Sequence, residues 1–210
     1  MFITLEGPEG SGKTSHVPYL VEFLREKGCT VFPTREPGGT SIGEQIRAVL
    51  HSLKNTEMHA RTETLLYQAA RAQFVEQVIR PRLALGEVVL SDRYADPTIA
   101  YQGYGHQQDL AQVRDLVRYA TGGLVPDLTV LLDVDVEIGI SRKTGSPDWN
   151  RLDAYTLEFH QRVRNGYLEM VKQEPERWVV VDAGKGRKEV QEELRKIITG
   201  ALESKIWKID

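Results

Sequence analysis

Cysteine is nearly absent: Cys29 is the only one in 210 residues, so no internal disulfide can form. The five histidines include no i, i+4 pair and have no cysteine beside them, which argues against a zinc site. Residue 1 leads directly into an apolar strand pattern, without the basic and apolar parts of a secretory leader, and a reducing, cytoplasmic setting is expected. No stretch approaches about 18 uninterrupted apolar residues, so no membrane partner is expected. Positive charge is not in excess either. Lys and Arg number 27 against 30 Asp and Glu, a net charge of −3, and without a global basic field nucleic acid is not expected as a partner. Any local basic cluster then calls for a local anion. Repeats and low-complexity linkers are lacking, and 40% hydrophobic content over this length suits one core, so residues 1–210 are expected to form a single domain.

Glycine, by contrast, is concentrated near the start. Gly7-Pro8-Glu9-Gly10-Ser11-Gly12-Lys13-Thr14 follows the apolar run at 2–5, and Val17, Leu20, Val21 and Leu24 then recur at helical spacing. This is a phosphate-binding loop where a strand turns into a helix. Its glycines let backbone N–H groups curl around phosphate oxygens, Lys13 reaches the outer phosphates as a point charge, and the Thr14 hydroxyl can ligate Mg²⁺. A nucleotide-using protein is implied.

The remaining periodicity predicts strands at 2–6, 30–35, 88–90, 128–133 and 178–181. Helices are expected at 13–27, at 41–53 with Ser41 and Glu44 as a capping box, at 58–80 up to Pro81, across 95–120 with a break at Gly103 to Gly105, at 135–143, over about 154–173, and at the end of the chain. Residues 144–150 lack periodicity and are a lid candidate. Short apolar strands alternating with helices imply an α/β fold: a five-stranded parallel sheet flanked by helices on both faces, with ligands outside the carboxyl ends of the strands.

Basic residues gather at those ends and beside turns: Lys13, Arg35, Arg71, Arg93, Arg142, Lys143 and Arg151. Arginine's planar fork suits bidentate phosphate contacts, so a second phosphate site is expected. Asp92 ends one apolar strand and Asp133 another. Both are candidates for the acidic Mg²⁺ partner, and Asp92 is preferred because Arg93 follows it. Tyr67 and Arg71 stand at i and i+4 on one helix face, where the ring could stack on a base and the guanidinium reach its edge.

The loop at 7–14, Thr34-Arg35-Glu36-Pro37-Gly38-Gly39-Thr40, Leu66-Tyr67-Gln68-Ala69-Ala70-Arg71, Asp92-Arg93-Tyr94 with Ala100-Tyr101-Gln102-Gly103, and Pro126-Asp127-Leu128-Thr129 together resemble the thymidylate kinase family, nearly end to end. The resemblance implies a P-loop NTPase fold of the nucleoside monophosphate kinase kind with a short lid at about 142–153. It also implies transfer of the γ-phosphate of ATP to dTMP in the presence of Mg²⁺, giving dTDP and ADP on the way to dTTP, by a cytosolic homodimer. Residues 7–14 would bind ATP, and Thr14 and Asp92 would hold the metal. Tyr67 takes the place of the aromatic that stacks on thymine, and Arg71 that of the arginine on the base edge. Arg35 and Arg93 match the arginines of the acceptor phosphate, with Glu36 and Pro37 in the same segment. Glu9 matches the carboxylate near the sugar 3′-hydroxyl. Thr98, Tyr101 and Gln102 fall where the base is read and a 2′-hydroxyl rejected, and Asp182-Ala183-Gly184 matches the segment near adenine. With no arginine inside the loop, the catalytic set would be Lys13, Arg93 and a lid arginine, Arg142 or Arg151.

Three features depart from the family pattern. Pro97 stands where serine is common, Asn150 replaces an aspartate before the lid arginine, and the tail at 205–210 matches nothing. The competing readings are a kinase for another acceptor, for which a nucleoside would require Glu36 or Asp92 as base, and a GTPase-like switch, against which stands the lack of DxxG and NKxD segments.

Overall fold

The computed structural model describes residues 1–147 and 149–206. Asp148 of the expected lid and residues 207–210 of the tail lie outside the described residues. Five strands, β1 (Phe2–Glu6), β2 (Val31–Arg35), β3 (Val88–Asp92), β4 (Leu128–Asp133) and β5 (Trp178–Asp182), form one sheet in the order β2-β3-β1-β4-β5, with every pairing parallel. The chain leaves β1 for β2, returns through β3, then crosses β1 to reach β4. Leu5 pairs with both Asp92 and Val130, so the carboxyl ends of β1, β3 and β4 open side by side. A crevice at such a reversal of strand order is the usual ligand site of an open α/β sheet.

Both faces of the sheet are covered, which is why the strands read as nearly continuous apolar runs. Helices α1 (Lys13–Glu26) and α8 (Arg187–Ile206) seal one face, where Leu20, Leu24, Leu194 and Ile198 meet Ile3, Leu5, Val130 and Leu132. On the other face, α2 (Ser41–His51), α3 (Ala60–Phe74), α5 (Leu110–Thr121) and α7 (Leu157–Gln173) bring Leu50, Phe74, Val113, Phe159 and Tyr167 against Phe2, Val89, Leu131 and Trp178. The short α4 (Arg80–Ala84) continues the run from α3, and α6 (Val136–Lys143) follows β4.

Three details differ from the expected elements. The helix expected to end near Pro81 continues to Ala84, because residues Val75–Ile79 shift to π-helical bonding. Pro81 has no N–H to lose there, and the changed register lets the chain carry it without a break. Thr98–Gly105 is also π-helical, with the His106 N–H reaching the Tyr101 carbonyl at 2.9 Å, and α5 begins only at Leu110. The cap of α2 falls one residue earlier than expected. Thr40 Oγ1 accepts from Gly43 N at 2.9 Å, and Glu44 accepts from Gly39 N at 3.0 Å. Along α2, Leu50 is fully inside, whereas Ile42 and Val49, with Leu53 just after the helix, are exposed.

Candidate active site

The loop between β1 and α1 is shaped by what its glycines permit. Gly7 has φ 147°, and a Cβ there would lie 2.4 Å from the Leu132 carbonyl oxygen, so only glycine closes the turn against β4. Gly10, at φ 69°, touches α6 backbone to backbone: a Cβ on it would fall 2.0 Å from the Gly139 oxygen. Lys13 Nζ folds back to donate to the Gly7 and Pro8 carbonyls at 2.9 Å each and to Ser11 Oγ at 3.0 Å. Burial, and then the charge of Arg93, pull its pKa down to about 8. Gly12 caps α1 with no side-chain partner, leaving the first-turn amides to face an anion.

Thr14 Oγ1 donates to Asp92 Oδ2 at 2.5 Å, and both line the same cleft. Asp133 does not compete for this role, since Arg164 grips both its carboxylate oxygens at 2.8 and 2.9 Å. Among the described residues no cluster of three acidic, histidine or cysteine side chains could cage a metal. Two hard oxygens at the mouth of a phosphate loop instead fit Mg²⁺, which keeps waters and takes its other ligands from phosphates.

A cavity of about 600 Å³ runs from this loop to the far wall made by α2, α3 and the π-helical segment. Arg93 forms its waist. Its backbone is left-handed at φ 69°, which turns its side chain across the cleft to Glu9 at 2.8 Å and Tyr101 Oη at 3.2 Å. Tyr101 Oη also donates to Glu9 at 2.8 Å. Burial alone would raise the Glu9 pKa, but the charges of Arg93 and Lys13 and this hydrogen bond overcome it and hold the carboxyl at about 2. Beneath the loop, Glu6 accepts from Tyr94 N at 2.8 Å, and burial followed by the charge of Asp96 pushes its pKa up to about 8.

At the far wall, Arg71 is 1% exposed and fully engaged. It donates to Glu36 at 2.8 and 2.9 Å, to Thr98 Oγ1 at 2.9 Å, to Gln68 Oε1 at 3.1 Å and to the Tyr94 carbonyl at 2.5 Å. Glu36 follows the end of β2, is joined to Pro37 by a cis peptide, and has its pKa pushed up to about 7 by burial against the opposing pull of Arg71. Its Oε1 is buried without a partner. Tyr67 and Pro37 line the same wall, and Arg35 reaches it from the surface, meeting Glu44 at 3.4 Å.

The two lid arginines part company. Arg142, at the end of α6, lines the cleft and donates to the Ala183 carbonyl at 3.0 Å, so it bridges the loop side to the segment after β5. Arg151 is buried and turned away from the cavity: it pairs with Glu63, donates to Tyr155 Oη at 2.5 Å and to the Leu50 carbonyl at 3.0 Å. Glu63, fully buried, also accepts from Gln102 Nε2 at 2.6 Å and meets His106 at 3.2 Å. Burial would raise its pKa, but His106, Arg151 and Gln102 bring it down to about 2. Glu63, Gln68, Arg47 and His51 were not expected in or behind the site. Arg47 and His51 carry a detectable signal, since their i, i+4 spacing puts them on one face of α2, whereas nothing in the local pattern marks Glu63 as a hub.

A strand–loop–helix phosphate cradle, a hydroxyl–carboxylate pair beside it, and a second basic and aromatic wall across one cavity define a P-loop phosphotransferase with room for a donor and an acceptor. A family model described as thymidylate kinase matches residues 5–194. Curated thymidylate kinases are similar over nearly the whole chain. That of Roseiflexus castenholzii is 48% identical over 217 residues, covering 97% of this chain and 95% of its own, and that of an Exiguobacterium species is 50% identical, covering 92% of each. The crystal structure of thymidylate kinase from Ehrlichia chaffeensis superposes with a TM-score of 0.76 at 33% identity, covering 94% of this chain and 98% of that one. The chain belongs to the thymidylate kinase family.

Proposed function

We infer that this cleft transfers the γ-phosphoryl group of ATP to dTMP, yielding ADP and dTDP, and that one observation carries the assignment: a single cavity joins the amide cradle at 7–14 to Tyr67, Arg71 and Arg93. The nucleophile is an oxygen of the acceptor phosphate, whose second pKa near 6 leaves it largely ionised at neutral pH. No side-chain base is needed, which fits a Glu9 carboxylate already committed to Arg93 and Tyr101. Catalysis reduces to aligning two polyanions and offsetting their repulsion.

The first-turn amides of α1 and Lys13 hold the donor phosphates, and Arg93 and Arg35 hold the acceptor's. Tyr67 supplies the flat face for thymine. Arg71, fixed by Glu36, meets the base edge by exchanging its bonds to Gln68 and Thr98 for bonds to the base, while Tyr101, Glu9 and Gln102 border the sugar. Thr14 and Asp92 would hold Mg²⁺, whose charge neutralises the phosphate oxygens when it is bound. Arg142 serves as the lid arginine, supported by its place on the cleft wall between the loop and Ala183. Arg151 instead anchors the lid base to α3 through Glu63. The unpaired Cys29 suits a cytosolic setting, and no described helix is long and apolar enough to cross a membrane. The exposed Ile42, Val49, Leu53 and Leu65, on and beside the mutually packed α2 and α3, support a homodimer through that face.

ADP release from ATP and Mg²⁺, with each deoxynucleoside monophosphate in turn, tests the substrate assignment. Activity centred on dTMP and dUMP is expected. Arg142→Ala should lower kcat by about 10² or more, and an unchanged kcat would remove Arg142 from the catalytic set.

A further inference from the structure

Arg47 and His51 lie one helical turn apart on α2, and both face the cavity. Arg47 donates to the Pro37 carbonyl at 2.9 Å. The His51 ring is half-buried, and among the described residues no hydrogen bond holds either of its nitrogens. Its backbone, in contrast, is pinned. Arg151 donates from its main chain to the His51 carbonyl at 3.4 Å and from its side chain to the Leu50 carbonyl at 3.0 Å, and Arg151 is itself anchored on Glu63. A rigid mount therefore presents a polar ring to the cleft with nothing yet bonded to it.

The charges whose fields reach that ring come from four elements: Arg47 on its own helix, Glu9 from the phosphate loop, Arg93 after β3, and Arg151 at the lid base. Two of these guanidinium groups are already paired, Arg93 with Glu9 and Arg151 with Glu63, and Glu9 also accepts from Tyr101. Burial and then the charge of Arg47 bring the imidazole pKa down to about 4, so at neutral pH the ring is uncharged and offers one N–H donor.

We propose that His51 is an acceptor-binding residue, its imidazole N–H donating to an oxygen at the phosphate end of dTMP. This rests on the assignment of the cavity to dTMP. Because the bond forms in the ground state and persists through transfer, it should appear in binding rather than in turnover. A hydrogen bond from a neutral donor to a charged acceptor corresponds to about a tenfold or larger change in affinity.

The test uses the full-length enzyme with His51→Leu, which fills the space without a donor, and His51→Asn, which restores one. His51→Leu is expected to raise KM for dTMP about tenfold, leaving kcat and KM for ATP within about twofold, and His51→Asn should recover most of the loss. Calorimetric binding of dTMP without ATP should follow the same order. An unchanged dTMP affinity in His51→Leu overturns the proposal, as does a weakened affinity that His51→Asn fails to restore. If the wild-type enzyme itself ignores dTMP, the substrate assignment fails instead, and that outcome is visible before any variant is made.

Discussion

Replacing Glu63 by glutamine separates the hub behind the acceptor wall from the wall itself. The carboxylate is fully buried and accepts from Gln102, Arg151 and Tyr155 while facing His106. An amide at the same place has one acceptor where there were two, and its NH₂ must face a donor. Arg151, 6% exposed, would keep a positive charge with no counter-ion. Removing one partner of a buried pair costs about 3–5 kcal/mol. The pKa gives a similar figure: a fall from 4.5 to about 2, at about 1.4 kcal/mol per tenfold change in proton affinity, corresponds to about 3 kcal/mol. For a protein of this length, about 3 kcal/mol lowers the unfolding midpoint by about 6–12 °C. Thermal unfolding followed by circular dichroism at neutral pH measures it. The sign with pH follows from a folded pKa below the unfolded one: the contribution is complete above about 4.5 and is lost as pH falls towards 2, so wild type and variant should converge in acid. Adding Arg151→Met should recover part of the loss, because the stranded charge goes with it. A Glu63→Gln midpoint within about 2 °C of wild type would refute the reasoning.

Two further outcomes follow from contacts at the donor side. Gly139→Ala places a methyl group 2.2 Å from the Glu9 carbonyl oxygen, so the phosphate loop must shift; KM for ATP should rise by at least about fivefold, on a cost of about 1–3 kcal/mol for overpacking, and an unchanged KM would show that the loop and α6 are not in contact. Glu6→Gln mimics the protonated acid. Since the folded pKa of Glu6 is raised to about 8, its stabilising protonated form is fully present below about 4.5 and is lost as pH rises through 8; the variant's unfolding midpoint should therefore fall less than that of wild type between about pH 5 and pH 9, and parallel curves would contradict the assignment.

The parallel sheet is legible in the sequence because its strands are buried on both faces: runs such as Val88-Val89-Leu90 carry no polar alternation, and the motifs at Gly7 and Asp92 sit at their ends. The convergence of Lys13 and Arg93 on one cavity is legible for the same reason, since strand ends on one edge of a parallel sheet must be neighbours, whereas Tyr67 and Arg71 reach it from within α3 and are legible only through their i, i+4 spacing and the family motif. The π-helical turns are not, because the register shift at Val75–Ile79 depends on packing around Pro81 rather than on composition. Arg151 shows a sharper limit. Its proximity to the lid in sequence suggests catalysis, yet its direction is set by Glu63, 88 residues away, and by the Leu50 carbonyl. Partners so remote leave no local pattern to read.

The backbone contact between Gly10 and Gly139 leaves no slack between the cradle and α6, whose other end carries Arg142. A swing of that helix must press on the loop, and a loop filled by phosphates resists the swing in return. Donor occupancy and the posture of the arginine are then one mechanical coordinate, and a substitution that tightens the grip on the phosphates ADP shares with ATP should also slow the departure of ADP.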